Sequence, residues 1–194
     1  MKASARARSA LSFALGMWLS LALLAGPAAL GQHKHDPLTD AEIDQIRDAS
    51  WEPQQRLGFY VKFARARLVA LEQMRADPKT KDRALKTHDT LQDFLFIYDE
   101  LNDNVDTYLD RKDDIRKPLK IVIEADTEFQ AKLRALKDAA DVPAEETRQY
   151  EFELTNTLDT VDSSAEDHRK TLADLEEDAK HKKQASKHSE SKPE

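Results

Sequence analysis

The stretch EFELTNTLDTVDSSAEDHRKTLADLEEDAK, Glu151 to Lys180, decides the fold. Its inward candidates Leu154, Leu158, Val161, Ala165, His168, Leu172, Leu175 and Ala179 alternate in steps of four and three. That spacing lays a single apolar seam along a helix that packs against other helices in a left-handed, coiled-coil-like manner. Just before it, Asp141-Val142-Pro143-Ala144-Glu145-Glu146 supplies a start, with proline near the first turn and carboxylates where the helix dipole favours negative charge. One long helix from about Pro143 to Lys183 is predicted.

The same rhythm extends toward the N-terminus. Leu119, Val122, Asp126, Phe129, Leu133 and Leu136 form one seam, and Leu91, Leu95, Tyr98, Asn102, Val105 and Leu109 form another, in a helix from Thr80 to about Asp114. Between Gln54 and Ala76, Leu57, Tyr60, Val61, Ala64, Leu68 and Leu71 share a face that Phe59 and Phe63 widen. Thr39-Asp40-Ala41-Glu42 has the form of a capping box and opens a short helix to about Ala49 bearing Ile43 and Ile46. Pro37, Pro53, Pro78, Pro118 and Pro143 fall between these segments, which is the punctuation of a bundle. At Pro118 the pattern allows either a reversal near residues 115–117 or a kinked continuous helix, since no glycine marks a stop.

The expected fold is therefore all-α: an elongated antiparallel up-down bundle of four long helices plus a short N-terminal capping helix. Short connections make each long helix antiparallel to the one before it. Ile43, Ile46 and Trp51 are expected to cover Leu172 and Leu175 where the last helix overruns its neighbours. Gly58, the single glycine beyond residue 31, lies inside a helix at a cost of about 1 kcal/mol against alanine, and the reading is close packing by a neighbour.

Residues 1–31 read as a signal peptide: Lys2, Arg6 and Arg8, an apolar run from Ala10 to Ala25, a Gly26-Pro27 break, then Ala29-Leu30-Gly31 before a cut at Gln32. Retention as an anchor is the alternative, because a span needs about 20 apolar residues. Residues 32–38 form a polar lead-in, 39–183 the bundle and 184–194 a disordered tail rich in Lys, His and Ser. The product is exported, periplasmic or extracellular, with no integral membrane segment after leader removal.

The chain has no cysteine, so disulfides, thiolate metal sites and thiol nucleophiles are excluded. Subtracting the three leader cations from the formal charge of -7 leaves -10 for residues 32 to 194. So acidic a body repels nucleic acid. The third and last helices are acidic while the second is basic, which reads as internal complementarity.

No catalytic, cofactor-binding or metal residue is assigned. His88 and His168 lie on or near seams, but at different heights on helices that start from the same end. The residues three before them, Leu85 and Ala165, are not the glutamates of a carboxylate-bridged di-iron motif. His33 and His35, with His181 and His188 at the other end, offer a weak borderline-metal site with nothing to fix its geometry. Asp126 and Asn102 are polar where leucine packs better; such residues fix register at a cost in stability, or act as buried acids. The acidic run Asp99, Glu100, Asp103, Asp106, Asp110, Asp113 and Asp114 reads as a solvated face, lacking the loop and glycine of a calcium-binding hand.

Pro37 to Ile46, PLTDAEIDQI, resembles the helix openings of periplasmic stress chaperones of the Spy and CpxP type over about ten residues, with Asp44 before Gln45 departing from their spacing. The resemblance implies a cysteine-poor helical protein that clasps unfolded clients. The residues themselves point to an exported, non-enzymatic bundle acting as a protein-interaction or structural module with an unidentified protein partner, as a monomer or a homo-oligomer. A chaperone-like client binder and a weak metal buffer are the alternatives.

Overall fold

The computed structural model describes residues 36–140 and 142–190, with side chains through residue 184. The described chain is all-α. Its helices are α1 (Asp40–Asp48), α2 (Pro53–Ala76), α3 (Arg83–Asp110), α4 (Arg116–Lys137), α5 (Ala144–Thr147) and α6 (Glu151–Glu190). The leader, His33 and His35 lie outside the described residues. No helix among those described is long and apolar enough to cross a membrane.

The capping box forms as expected: the Thr39 amide donates to Glu42 Oε2 at 2.9 Å and the Glu42 amide to Thr39 Oγ1 at 3.3 Å, so two amides without helical partners are satisfied. Pro53 opens α2 at its first turn, where no intrahelical hydrogen bond is lost. At Pro118 the chain breaks rather than kinks. Helix α3 ends four residues earlier than the seam suggested, at Asp110, through a Schellman motif: the Asp113 amide donates to Tyr108 O at 3.0 Å and Lys112 to Leu109 O at 2.9 Å. Lys112 fills the left-handed position, φ 62°, that glycine ordinarily takes. Pro118 then sits buried in the first turn of α4, where its missing N–H has no intrahelical role.

Cross-links between side chains set the directions. Arg56 meets Asn104 and Arg75 meets Thr87, so α2 and α3 are antiparallel. Gln130 meets Asp162 and Lys120 meets Glu176, so α4 and α6 are antiparallel too. The two hairpins lie side by side with α2 parallel to α4, joined by Arg65–Glu128 and Glu72–Lys132, while Asn102–Ser164 and Arg83–Glu146 join α3 to the chain around α6. Across the centre the Phe94 and Phe129 rings meet edge-on at 5.3 Å, with Tyr98 6.1 Å from Phe129. Such pairs add about 1 kcal/mol each beyond the area they bury.

Four expectations are corrected. First, α1 does not cover Leu172 and Leu175; it turns back along α2, and Trp51 is 81% exposed. The basic face of α2 outcompetes the distant apolar overhang for so acidic a helix. Second, the last helix does not run unbroken from Pro143. Residues 148–150 form a turn between α5 and α6, because the buried Tyr150 ring lies beneath Arg75, 5.4 Å away, and Glu146 is drawn to Arg83 and Arg75. Third, α6 stays helical to Glu190, past the point where the tail was expected to be disordered, since residues 184–190 contain neither glycine nor proline and propagation costs little once a helix exists. Fourth, nothing packs closely on Gly58: a Cβ there meets no atom within 4 Å.

Two substitutions follow from these backbone features. Gly58→Ala, filling open space on a helix, should stabilise the bundle by about 1 kcal/mol. Lys112→Gly should relieve the left-handed strain by a similar amount. In thermal unfolding each is expected to raise Tm by roughly 2–4 °C. A lower Tm for Gly58→Ala would mean that this face of α2 is in fact occupied.

Candidate functional site

A polar cluster occupies the otherwise apolar centre. Helix α3 contributes Tyr98, α4 Asp126 and α6 His168, each from a seam position, so three helices aim polar atoms at one point. Tyr98 Oη donates to Asp126 Oδ1 at 2.8 Å, and His168 Nδ1 lies 2.9 Å from Asp126 Oδ2. With Asp126 as a carboxylate, the second contact requires the imidazole proton on Nδ1. Asp126 is 0% exposed and His168 5%. A carboxylate removed from water this completely persists only if its oxygens find donors, and here both do.

The cluster extends toward the α3–α6 seam. Asn102 Nδ2 donates to Ser164 Oγ at 3.0 Å, and Ser164 also interacts with the Tyr98 hydroxyl. Burial pushes the Tyr98 phenol far above its ordinary value, and the negative charge of Asp126 adds to the effect. Tyr98 is therefore a permanent donor rather than a proton source near neutral pH. Asn102 Oδ1 is buried without a partner, the one loose end in the cluster.

Serine, histidine and aspartate are thus close together, but not as a nucleophilic relay. The Ser164 hydroxyl is engaged with Asn102, and the imidazole nitrogen facing a partner faces Asp126. The apolar groove between α2 and α4, about 230 Å³, is lined by Leu68, Leu71, Leu133 and Leu136, away from these side chains. What the arrangement does chemically is hold three helices at one height.

The other sequence candidates lie apart. His88, partly exposed, has Nδ1 3.1 Å from Asp89 Oδ1 on its own helix and a different surrounding from His168. His181 faces Glu177 at 3.6 Å on the surface of α6. In the acidic run, burial followed by the charges of Asp103 and Glu100 raises the Asp99 carboxyl, whereas Arg116 pulls Asp114 down to about 2. Among the described residues no three His, Asp or Glu groups converge as a metal-ligand set.

Sequence reading missed two features. The Asp126–His168 partnership had a usable signal, since Tyr98, Asp126 and His168 are polar interruptions of three seams at one height. The second is an end clamp, in which Arg83 Nε and Nη2 reach Glu146 at 2.9 and 2.6 Å and Arg75 reaches it at 3.2 Å and Thr87 at 3.0 Å. Arg83, opposed by burial but aided by Arg75, holds the Glu146 carboxyl below its ordinary 4.5. Comparisons with protein-family models, with curated proteins and with solved structures found no match to this chain.

Removing one member of the central cluster strands the rest. Tyr98→Phe should cost about 1.5–3 kcal/mol, the worth of a hydrogen bond to a charged group. His168→Leu alone should cost about 3–5 kcal/mol, while Asp126→Leu with His168→Leu should recover most of that loss, because a hydrophobic pair replaces a desolvated one. Urea unfolding of the three proteins checks this; equal losses for the single and double variants would contradict it.

Acid should weaken the end clamp. A carboxyl whose folded pKa is depressed contributes stability that is full above its unfolded value and lost as pH falls through the folded one. Tm is therefore expected to hold from pH 7 to about 5 and to fall below about 4.5, with a shallower fall in Glu146→Gln.

Proposed function

We propose that this protein is an exported, non-enzymatic helical bundle that acts as a protein-interaction or structural module. The observation that carries the reading is the placement of the two most exposed aromatic side chains among the described residues. Trp51, 81% exposed, stands beside Lys117 and Pro118 at the start of α2; Phe152, 82% exposed, opens α6 near the far end of α2. Exposed aromatic rings are the side chains that most often anchor protein contacts, because they bury a large area with few rotors to freeze. Two such anchors at opposite ends suit a module that joins partners rather than one that encloses a substrate.

The buried polar cluster supports the same reading, since Tyr98 and His168 are both engaged with Asp126. A client-clasping surface would require a continuous apolar face. Of the rings that could furnish it, Phe59, Phe63, Phe94, Phe96 and Tyr108, three (Phe63, Phe94 and Tyr108) are buried and Phe59 is half-buried, which leaves Phe96, 39% exposed, without exposed neighbours from the set.

A photo-crosslinking amino acid placed at position 51 or 152 in cells that export the protein tests the proposal. Discrete adducts to the same proteins at each position are expected, and a crosslinker at the exposed polar position Lys86 should not form them. Adducts at 51 and 152 no different from those at 86 would contradict the proposal.

A further inference from the structure

Helix α1 differs from every other element in how it is held. Its nine residues pack against α2 and bury only Ile46, with Ile43 half-covered, while the flanking Leu38 and Ala49 are buried on either side of the helix. A helix this short is marginal unless its neighbour supports it. An open groove of about 290 Å³ runs along the contact, between Ile43 and Ile46 of α1 and Arg56 and Tyr60 of α2.

The seat has the chemistry of a helix-binding groove. Arg56, Tyr60, Phe63 and Arg67 recur at i, i+4, i+7 and i+11 and so share one stripe of α2. Tyr60 and Phe63 are buried, and arginines stand at both ends of the stripe. Arg67 grips Glu42 with two nitrogens at 2.9 and 2.6 Å and Pro37 O at 2.6 Å. Arg56 approaches Ile46 O at 3.4 Å, close to the C-terminal, negative end of the α1 dipole. Charge agrees with the seating: α2 carries five basic residues against one acidic, and α1 four acidic against one basic.

The attachment on the other side is slight. Ser50, Trp51 and Glu52 connect the helices through two turn hydrogen bonds, Ser50 N to Arg47 O and Glu52 N to Ala49 O. Because Pro53 begins α2 on its own, the longer helix does not need α1 to complete its first turn.

We infer that α1 is a displaceable strap, and that the Arg56–Tyr60–Phe63–Arg67 stripe beneath it is a seat for an acidic amphipathic helix of a partner protein. The incoming helix would present two apolar side chains three residues apart to the Tyr60 end and a carboxylate to Arg67, as Ile43, Ile46 and Glu42 do now. This rests on the protein-interaction reading and names its surface.

The absence of cysteine makes the test clean. In the full chain, Gln45→Cys and Lys62→Cys, whose native side chains meet at 3.4 Å, are joined by a short bis-maleimide so that α1 cannot leave. The probe is a fluorescent peptide of residues 36–49, DPLTDAEIDQIRDA. It should bind at least tenfold more tightly to chains opened by Glu42→Arg or by Ile46→Asp than to the unmodified chain, and not at all to the tethered chain. A peptide carrying Glu42→Arg should bind the opened chains at least tenfold more weakly. Hydrogen exchange should show amides of residues 40–48 opening at least a hundredfold faster than those of α2.

Exchange of 40–48 in step with α2, or equal peptide binding to tethered and opened chains, would overturn the inference. Ile46→Asp leaves Arg67 intact, so a misfolded Glu42→Arg chain does not end the test. Crosslinks at positions 51 and 152 are read separately: a silent seat fails this inference alone, and silent crosslinks fail the interaction reading alone.

Discussion

A carboxylate without access to water must be met by donors, and Asp126 finds its donors on two other helices, at Tyr98 of α3 and His168 of α6. That requirement constrains the bundle more narrowly than its apolar seams do. A leucine seam tolerates a slide of one turn, because the next leucine fills much the same hole. A slide of one turn by α3 or α6 would strip Asp126 of one of its two donors in the core and leave one carboxylate oxygen buried without a hydrogen bond, at a cost of about 1–3 kcal/mol or more. The polar cluster therefore selects one register among those the apolar pattern permits, at some expense in stability.

Around this point the rest of the structure is arranged by pairing two hairpins. The Phe94, Tyr98 and Phe129 rings pack beside the cluster and exclude water from it. Charged clamps close the periphery: Glu146 between Arg83 and Arg75 at one end, and Glu42 on Arg67 where α1 lies along α2. Both are mostly buried, and both connect elements that share little apolar contact. The remaining surface pairs, such as Lys120 with Glu176, are exposed and contribute little individually.

Much of this was legible in the sequence where periodicity speaks. The seams of α2 and α4 and the first half of that of α6 read correctly because every third or fourth residue reports the same physical fact, burial, whereas in α3 the buried face runs through Phe94, Ile97, Leu101 and Tyr108 and leaves the expected Leu95, Asn102 and Leu109 only partly covered. Thr39 and Glu42 announced the start of α1 because a capping box is a local hydrogen-bonding device. Reading failed where a distant residue decides the local backbone. The turn at Arg148–Tyr150 depends on Arg75, over seventy residues earlier, and the docking of α1 depends on Arg67. The Lys112 turn had no glycine to mark it. The central cluster was half legible: Asp126, Asn102 and His168 stood out as polar seam residues, but their mutual contacts need the heights of three helices at once.

Function follows the same division. The proposed interaction role draws on Trp51 and Phe152, exposed near opposite ends of α2. The proposition underneath is that Asp126 sets the register through Tyr98 and His168. Nitrogen-15 NMR of the His168 imidazole tests it most directly: a proton on Nδ1, slow to exchange with water and lost when Asp126 is replaced by leucine, is the expected result. An imidazole that carries its proton on Nε2 alone, or that exchanges as fast as the exposed His181, would contradict it.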